Sequence, residues 1–149
     1  MINDDPAFQV QIKPARQIVL LALSHLKYNQ TLLNLIFTSD SKMKRINKRF
    51  LNHNWNTDVL AFPFSEAGPS PKIRFLGEVI VSPKRAKVQA PLYGSEFRSE
   101  LARYICHGIL HLAGFKDKSK KEKARMRKEE DKILDKAQTH IKRILKYGH

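Results

Sequence analysis

Cysteine is nearly missing from this chain. Cys106 is the only one in 149 residues, so no internal disulfide can form, and a small secreted scaffold held by cystines is excluded. A reducing compartment, and hence a cytoplasmic protein, is the expectation. Cys106 directly precedes His107, about 100° round a helix from it, and reads as a small core residue rather than a ligand. Long hydrophobic runs are missing too. The longest, Ile18 to Leu23, falls far short of the roughly 20 apolar residues that span a bilayer, and Asp4 and Asp5 stand where a secretory signal would be basic. No membrane partner is expected. Acidic residues are scarce, 14 against 28 lysines and arginines, which leaves a formal charge of +14. Such a balance attracts polyanions. Nothing repeats, so a solenoid or other repeat architecture is excluded.

What is present centres on His107-Gly108-Ile109-Leu110-His111-Leu112-Ala113-Gly114-Phe115-Lys116-Asp117. Histidines four apart share one face of a helix, so both imidazoles can reach one ion. An isolated pair of this kind is more often two half-buried, hydrogen-bonded residues. Gly114, however, can take the left-handed conformation that ends the helix and turns the chain back, and Asp117 then arrives where a third ligand is needed. His107, His111 and Asp117 together are the candidate ligands of one zinc ion per chain, with coordination positions left open for catalysis. The spacing is that of the long zincin motif with two departures. Gly108 replaces the general-base glutamate of a peptidase, which argues against peptide hydrolysis, and the third ligand is a carboxylate.

The rest of the chain reads as a single domain, residues 1–149, with 42% hydrophobic content, enough for a core. Alternation at Phe8, Val10 and Ile12 predicts a first strand, and Pro14 opens a helix reaching about Tyr28. Strands follow over 31–37, 57–62 and 75–81, the last two as a hairpin with a long tip. Ser39 or Asp40 caps a basic helix with Met43, Ile46 and Phe50 inward. Ser82-Pro83 opens a short helix, Ser95 caps the histidine helix, and the capping box Ser119-x-x-Glu122 starts a final helix running to about Tyr147. His25, with no partner at ligand spacing, reads as a boundary residue. These elements predict an α+β fold, a small mixed four-stranded sheet packed with helices, with the metal site on a zincin-like histidine helix.

Two basic clusters favour a nucleic acid as partner. Lys42, Lys44, Arg45, Lys48 and Arg49 include no acid among them, and the stretch 116–128 carries eight basic residues against Asp117 and Glu122. A solvated helix face accounts for part of the second cluster. Trp55, the only tryptophan, and His53 lie in a polar loop, where the aromatic either stacks on a base or covers the core.

Three ordered blocks now resemble one family. They are Thr57-Asp58-Val59-Leu60-Ala61-Phe62, Leu76-Gly77-Glu78-Val79-Ile80-Val81-Ser82, and the histidine block followed by Met126 and Glu129. Over residues 33–130 the chain resembles the YbeY family of metal-dependent endoribonucleases. The resemblance implies a zinc-dependent, single-strand-specific endoribonuclease with His107 and His111 at the catalytic centre. Its implied partners are single-stranded RNA, ribosomal RNA precursors near the 3′ end of the small-subunit RNA, and ribosomal particles whose quality it controls. This chain departs from the family pattern at three places. Asp117 stands where the family's third histidine is usual, Ala61 where a serine is usual, and Leu51 where an arginine is usual, with Arg49 close by as a substitute. The nucleophile is hydroxide or a substrate 2′-hydroxyl, and His53 and Glu78 are candidate acids. The rival expectations are an RNA- or ribosome-binding factor whose metal is structural and, behind it, a metallopeptidase.

Overall fold

A computed structural model describes residues 1–51, 57–64 and 72–146, the side chain of residue 51 excepted. The segment containing His53 and Trp55 lies outside the described residues. Among the described residues four strands, β1 (Ile2–Asn3), β2 (Thr31–Phe37), β3 (Val59–Pro63) and β4 (Arg74–Val81), form one mixed sheet in the order β1-β2-β4-β3, as expected for the fold class. β2 (Thr31–Phe37) runs parallel to β4 (Arg74–Val81). β3 (Val59–Pro63) closes an antiparallel hairpin on β4, with Leu60 opposite Ile80.

The two faces of the sheet are filled differently. Alternation in β4 sends Gly77 and Val79 toward one helix, α4 (Phe97–Leu112), and sends Ile80 to the other side. There Leu60 and Ile80 pack with Met43 of α2 (Asp40–Leu51) in a small separate cluster. α4 carries most of the core. Eleven of its 16 residues are buried, the pattern of a helix enclosed nearly all round. α1 (Ile12–His25), α3 (Pro83–Gln89) and α5 (Lys120–Lys136) pack around it.

Four expectations need correction. The first strand is β1 (Ile2–Asn3), parallel to β2. Phe8 to Ile12 alternates for another reason: Phe8 packs edge-on against Phe97, Val10 makes one isolated bridge to Leu145, and Ile12 already begins α1. The last helix does not continue to Tyr147. It ends at Lys136 and is followed by α6 (Gln138–Ile141), which with Ile144 and Leu145 folds back into the core. A straight helix over 119–147 would be about 43 Å long, wider than a domain of this size, and would leave its apolar end uncovered. Ser95 does not cap α4; its amide closes the preceding turn on Ala90 O, and Glu96 takes the cap position without a side-chain hydrogen bond. Phe50 points outward, touching only the edge of Phe62 among the described aromatic rings. The Ser119–Glu122 capping box is formed in both directions.

Candidate metal centre

Because α4 is enclosed on nearly every side, the few positions left partly open form a narrow stripe. Arg103, His107 and His111 lie on it at successive intervals of four residues, each half-buried. The helix then ends as its sequence requires. Gly114 has φ +98°; its amide donates to His111 O and that of Phe115 to Leu110 O, each at 3.0 Å. This pair of bonds is a Schellman cap. The turn carries the chain back so that Asp117 faces both histidines.

The donor set is closely gathered. His107 Nε2 and His111 Nε2 are 3.0 Å apart, and Asp117 Oδ2 lies 3.2 Å from each. What surrounds the rings fixes their hydrogens. His107 Nδ1 faces a Glu130 carboxylate oxygen at 2.7 Å and His111 Nδ1 faces the Phe115 carbonyl at 3.0 Å. Both partners only accept, so each Nδ1 carries the hydrogen and donates it. The two Nε2 lone pairs and a carboxylate oxygen therefore converge with no donor between them, an arrangement that calls for a cation. Zinc–ligand bonds of about 2.0–2.1 Å set tetrahedral donors about 3.3 Å apart, close to the spacing present. The residues fit a metal ion, and among the described residues these three are the only group that does.

One carboxylate orients the site from outside it. Glu130, only 3% exposed, accepts from His107 with one oxygen and from Arg103 Nη1 at 2.8 Å with the other; Arg103 Nη2 in turn reaches Asp131 at 2.7 Å. Burial pulls the His107 pKa down, but the hydrogen bond and charge of Glu130, with Asp117 and Asp58 beside it, outweigh that and raise it. The sequence points to Met126 and Glu129 after the histidine block and gives no prominence to Glu130. Glu129 instead meets His25 at 2.5 Å, so His25 is a half-buried boundary residue with a carboxylate partner. The available signal for Glu130 is periodicity. Met126, Glu130 and Ile133 fall on one face of α5, and a carboxylate on an otherwise apolar face calls for a buried partner.

A cleft of about 380 Å³ opens beside His107 and Asp117, with Lys123 and Arg127 of α5 among its lining residues. Other sequence candidates lie elsewhere. Glu78 shares its sheet face with Ile80, away from α4. Arg49 is exposed on α2 with its guanidinium 5.4 Å from the Phe50 ring, and no described side chain of α2 is among the residues lining the cleft. The basic cluster of α2 thus covers the sheet face opposite the histidines. Gly108 has a packing reason: a Cβ there would lie 2.4 Å from Val79 Cγ1. Position 108 faces Val79 and Val59 of the sheet, so any larger residue there would have to push the helix and sheet apart.

Fold and donor set together define a small α+β domain carrying, at the end of its central helix, three donors that could hold a metal ion. Residues 3–138 match the family described as "Endoribonuclease YbeY", and the chain belongs to that family. Among its relatives, "Endoribonuclease YbeY" of Thermodesulfovibrio yellowstonii is 45% identical over 104 residues, 69% of this chain and 65% of that protein. The protein of the same name from Persephonella marina is 35% identical over 88% of this chain and 86% of its own length. The solution structure of a Thermotoga maritima protein covers 93% of this chain and 91% of its own, with a TM-score of 0.61 at 26% identity.

Proposed function

We propose that this chain is a zinc-dependent endoribonuclease specific for single strands. The observation that carries this reading is the convergence of His107 Nε2, His111 Nε2 and Asp117 Oδ2 at 3.0–3.2 Å beside a cleft whose lining includes Lys123 and Arg127, in a chain of the YbeY family. His107, His111 and Asp117 hold the ion, which when bound supplies Lewis acidity at the scissile phosphate and lowers the pKa of water. Glu130 keeps the His107 hydrogen on Nδ1 and its lone pair toward the ion. The Phe115 carbonyl does the same for His111. Lys123 and Arg127 bind phosphates on either side of the cut. An unpaired strand can rotate a phosphate into line for displacement, which a rigid A-form helix resists.

We extend the reading to ribosomal RNA precursors near the 3′ end of the small-subunit RNA, to quality control of ribosomal particles, and to a cytoplasmic setting, with residues 1–149 acting as one unit. The buried free Cys106 supports a reducing compartment. No helix among the described residues is long and apolar enough to cross a membrane. Incubating zinc-loaded protein with single-stranded RNA, the matching duplex and casein tests the proposal. Products should arise from the single strand alone. Products from casein, or from none of the three, would overturn it.

A further inference from the structure

Past His107 and Asp117 the cleft continues to Asp58, Glu100 and Tyr104. Glu100 and Tyr104 are each only 5% exposed, and the Tyr104 hydroxyl has no hydrogen-bond partner among the described residues. Leaving a buried hydroxyl unpaired is unfavourable, so a polar group entering the cleft would recover a bond there. Asp58 spends Oδ1 on the Val59 amide at 3.0 Å and keeps its second oxygen. Arg103, the nearest cation on α4, is engaged by Glu130 and Asp131. The inner end thus brings two carboxyl groups and one unpaired hydroxyl together beside Arg103 and Arg127; the charge of Arg103 is already met by Glu130 and Asp131, so the carboxyl groups disfavour a further phosphate there.

A strand of RNA whose phosphates lie on Lys123 and Arg127 meets Asp58 and Glu100 in that inner end, which favour an uncharged group over another phosphate. The group must bring N–H donors, which points to a base edge. Burial raises the Glu100 pKa against the pull of Arg103 and Arg127, and donors arriving there would relieve the cost of its charge. Tyr93 at the cleft is 66% exposed, offering a ring to a splayed base.

We propose that this inner end reads one base of the bound strand and selects guanine, whose N1–H and N2 amino group present adjacent donors to the two oxygens of Glu100. Asp58 and the Tyr104 hydroxyl complete the set, and Tyr93 stacks on the base. Uracil offers one N–H flanked by carbonyls, which the carboxylates repel. The inference rests on the endoribonuclease reading of the same cleft.

The test measures binding of labelled 2′-O-methyl phosphorothioate hexamers, which resist cleavage, to zinc-loaded protein. The hexamers carry guanine, inosine or uracil at one position in an otherwise pyrimidine strand. Guanine should bind about tenfold tighter than inosine, which lacks only the amino group, the discrimination usual for a paired base contact. In Glu100→Gln the ratio should fall to about one, with inosine binding within about twofold of the parent. Tyr93→Ala should weaken all three hexamers alike. Equal binding of the three by the parent, or an equal loss of all three in Glu100→Gln, overturns the proposal. Should Glu100→Gln fail to fold, Tyr104→Phe must narrow the guanine preference, and an unchanged preference is equally fatal. Cleavage of the unmodified RNAs is scored separately. Guanine preference without cleavage contradicts the enzyme reading alone, whereas cleavage without preference contradicts only the base reader.

Discussion

His107 is asked to hold either a proton or a metal ion on the same nitrogen, and Glu130 acts on both. In the metal-free protein the pKa of the ring is raised. The charged ring therefore adds stability that is fully present below the ordinary histidine value and is lost as pH rises through the raised one. A metal needs the neutral ring. Zinc affinity should accordingly begin to fall, on acidification, above the ordinary value of about 6.5. Glu130→Gln removes the main raising influence, so that onset should move to lower pH. The same change should weaken zinc binding at neutral pH by about 10–100-fold, as loss of an orienting carboxylate generally does. Glu129→Gln, one residue away, should leave zinc binding unchanged. Calorimetric titration of the three proteins across pH checks both points, and equal zinc affinity in Glu130→Gln and the parent would remove Glu130 from the site. The three donors were legible in the sequence because two lie on one helix turn and the third follows a glycine stop. Glu130 was not, because its approach to His107 depends on the angle at which α5 crosses α4.

Among the elements, α4 ties the fold to the site. It presses on the sheet so closely at Gly108 that a methyl group would displace Val79 and Val59. Gly108→Ala should cost about 1–3 kcal/mol by overpacking, read as a lower urea midpoint with an unchanged slope. Full stability in that variant would mean that the helix and sheet can part there without loss. This contact also recasts one sequence argument. The missing glutamate after His107 argued against a peptidase, yet the close approach of Val79 and Val59 gives glycine at that position a packing reason as well. Periodicity located β2, the β3–β4 hairpin, α2, α3 and the start of α5. It failed for Phe8 to Ile12, where core contacts without a ladder imitate a strand. It failed again beyond Lys136, since the apolar stripe continues in sequence while the chain bends to bury it.

Over the whole molecule, charge is divided between two faces. Lys123 and Arg127 border the cleft, whereas Lys44 and Arg45 project from α2, across the sheet. The sequence shows both clusters as equal candidates for a nucleic-acid surface; that the sheet lies between them is visible only in three dimensions. Reversing Lys123 and Arg127 to glutamate should flatten the dependence of log RNA affinity on log salt by about 0.7 for each single-strand phosphate that is no longer neutralised. Reversing Lys44 and Arg45 should leave that slope unchanged, and a change there would place the RNA on the α2 face.

In the proposed enzyme the three-donor group does the cutting, while Lys123, Arg127 and other cations do the binding. The most direct measurement compares His107→Ala with the parent, both zinc-equilibrated and freed of contaminating nuclease, for cleavage and for affinity on one single-stranded RNA. Cleavage should be largely lost while much of the affinity remains, because lysine and arginine contacts supply it. Cleavage by His107→Ala at the parent's rate would contradict the account and leave the metal a structural part of an RNA-binding factor.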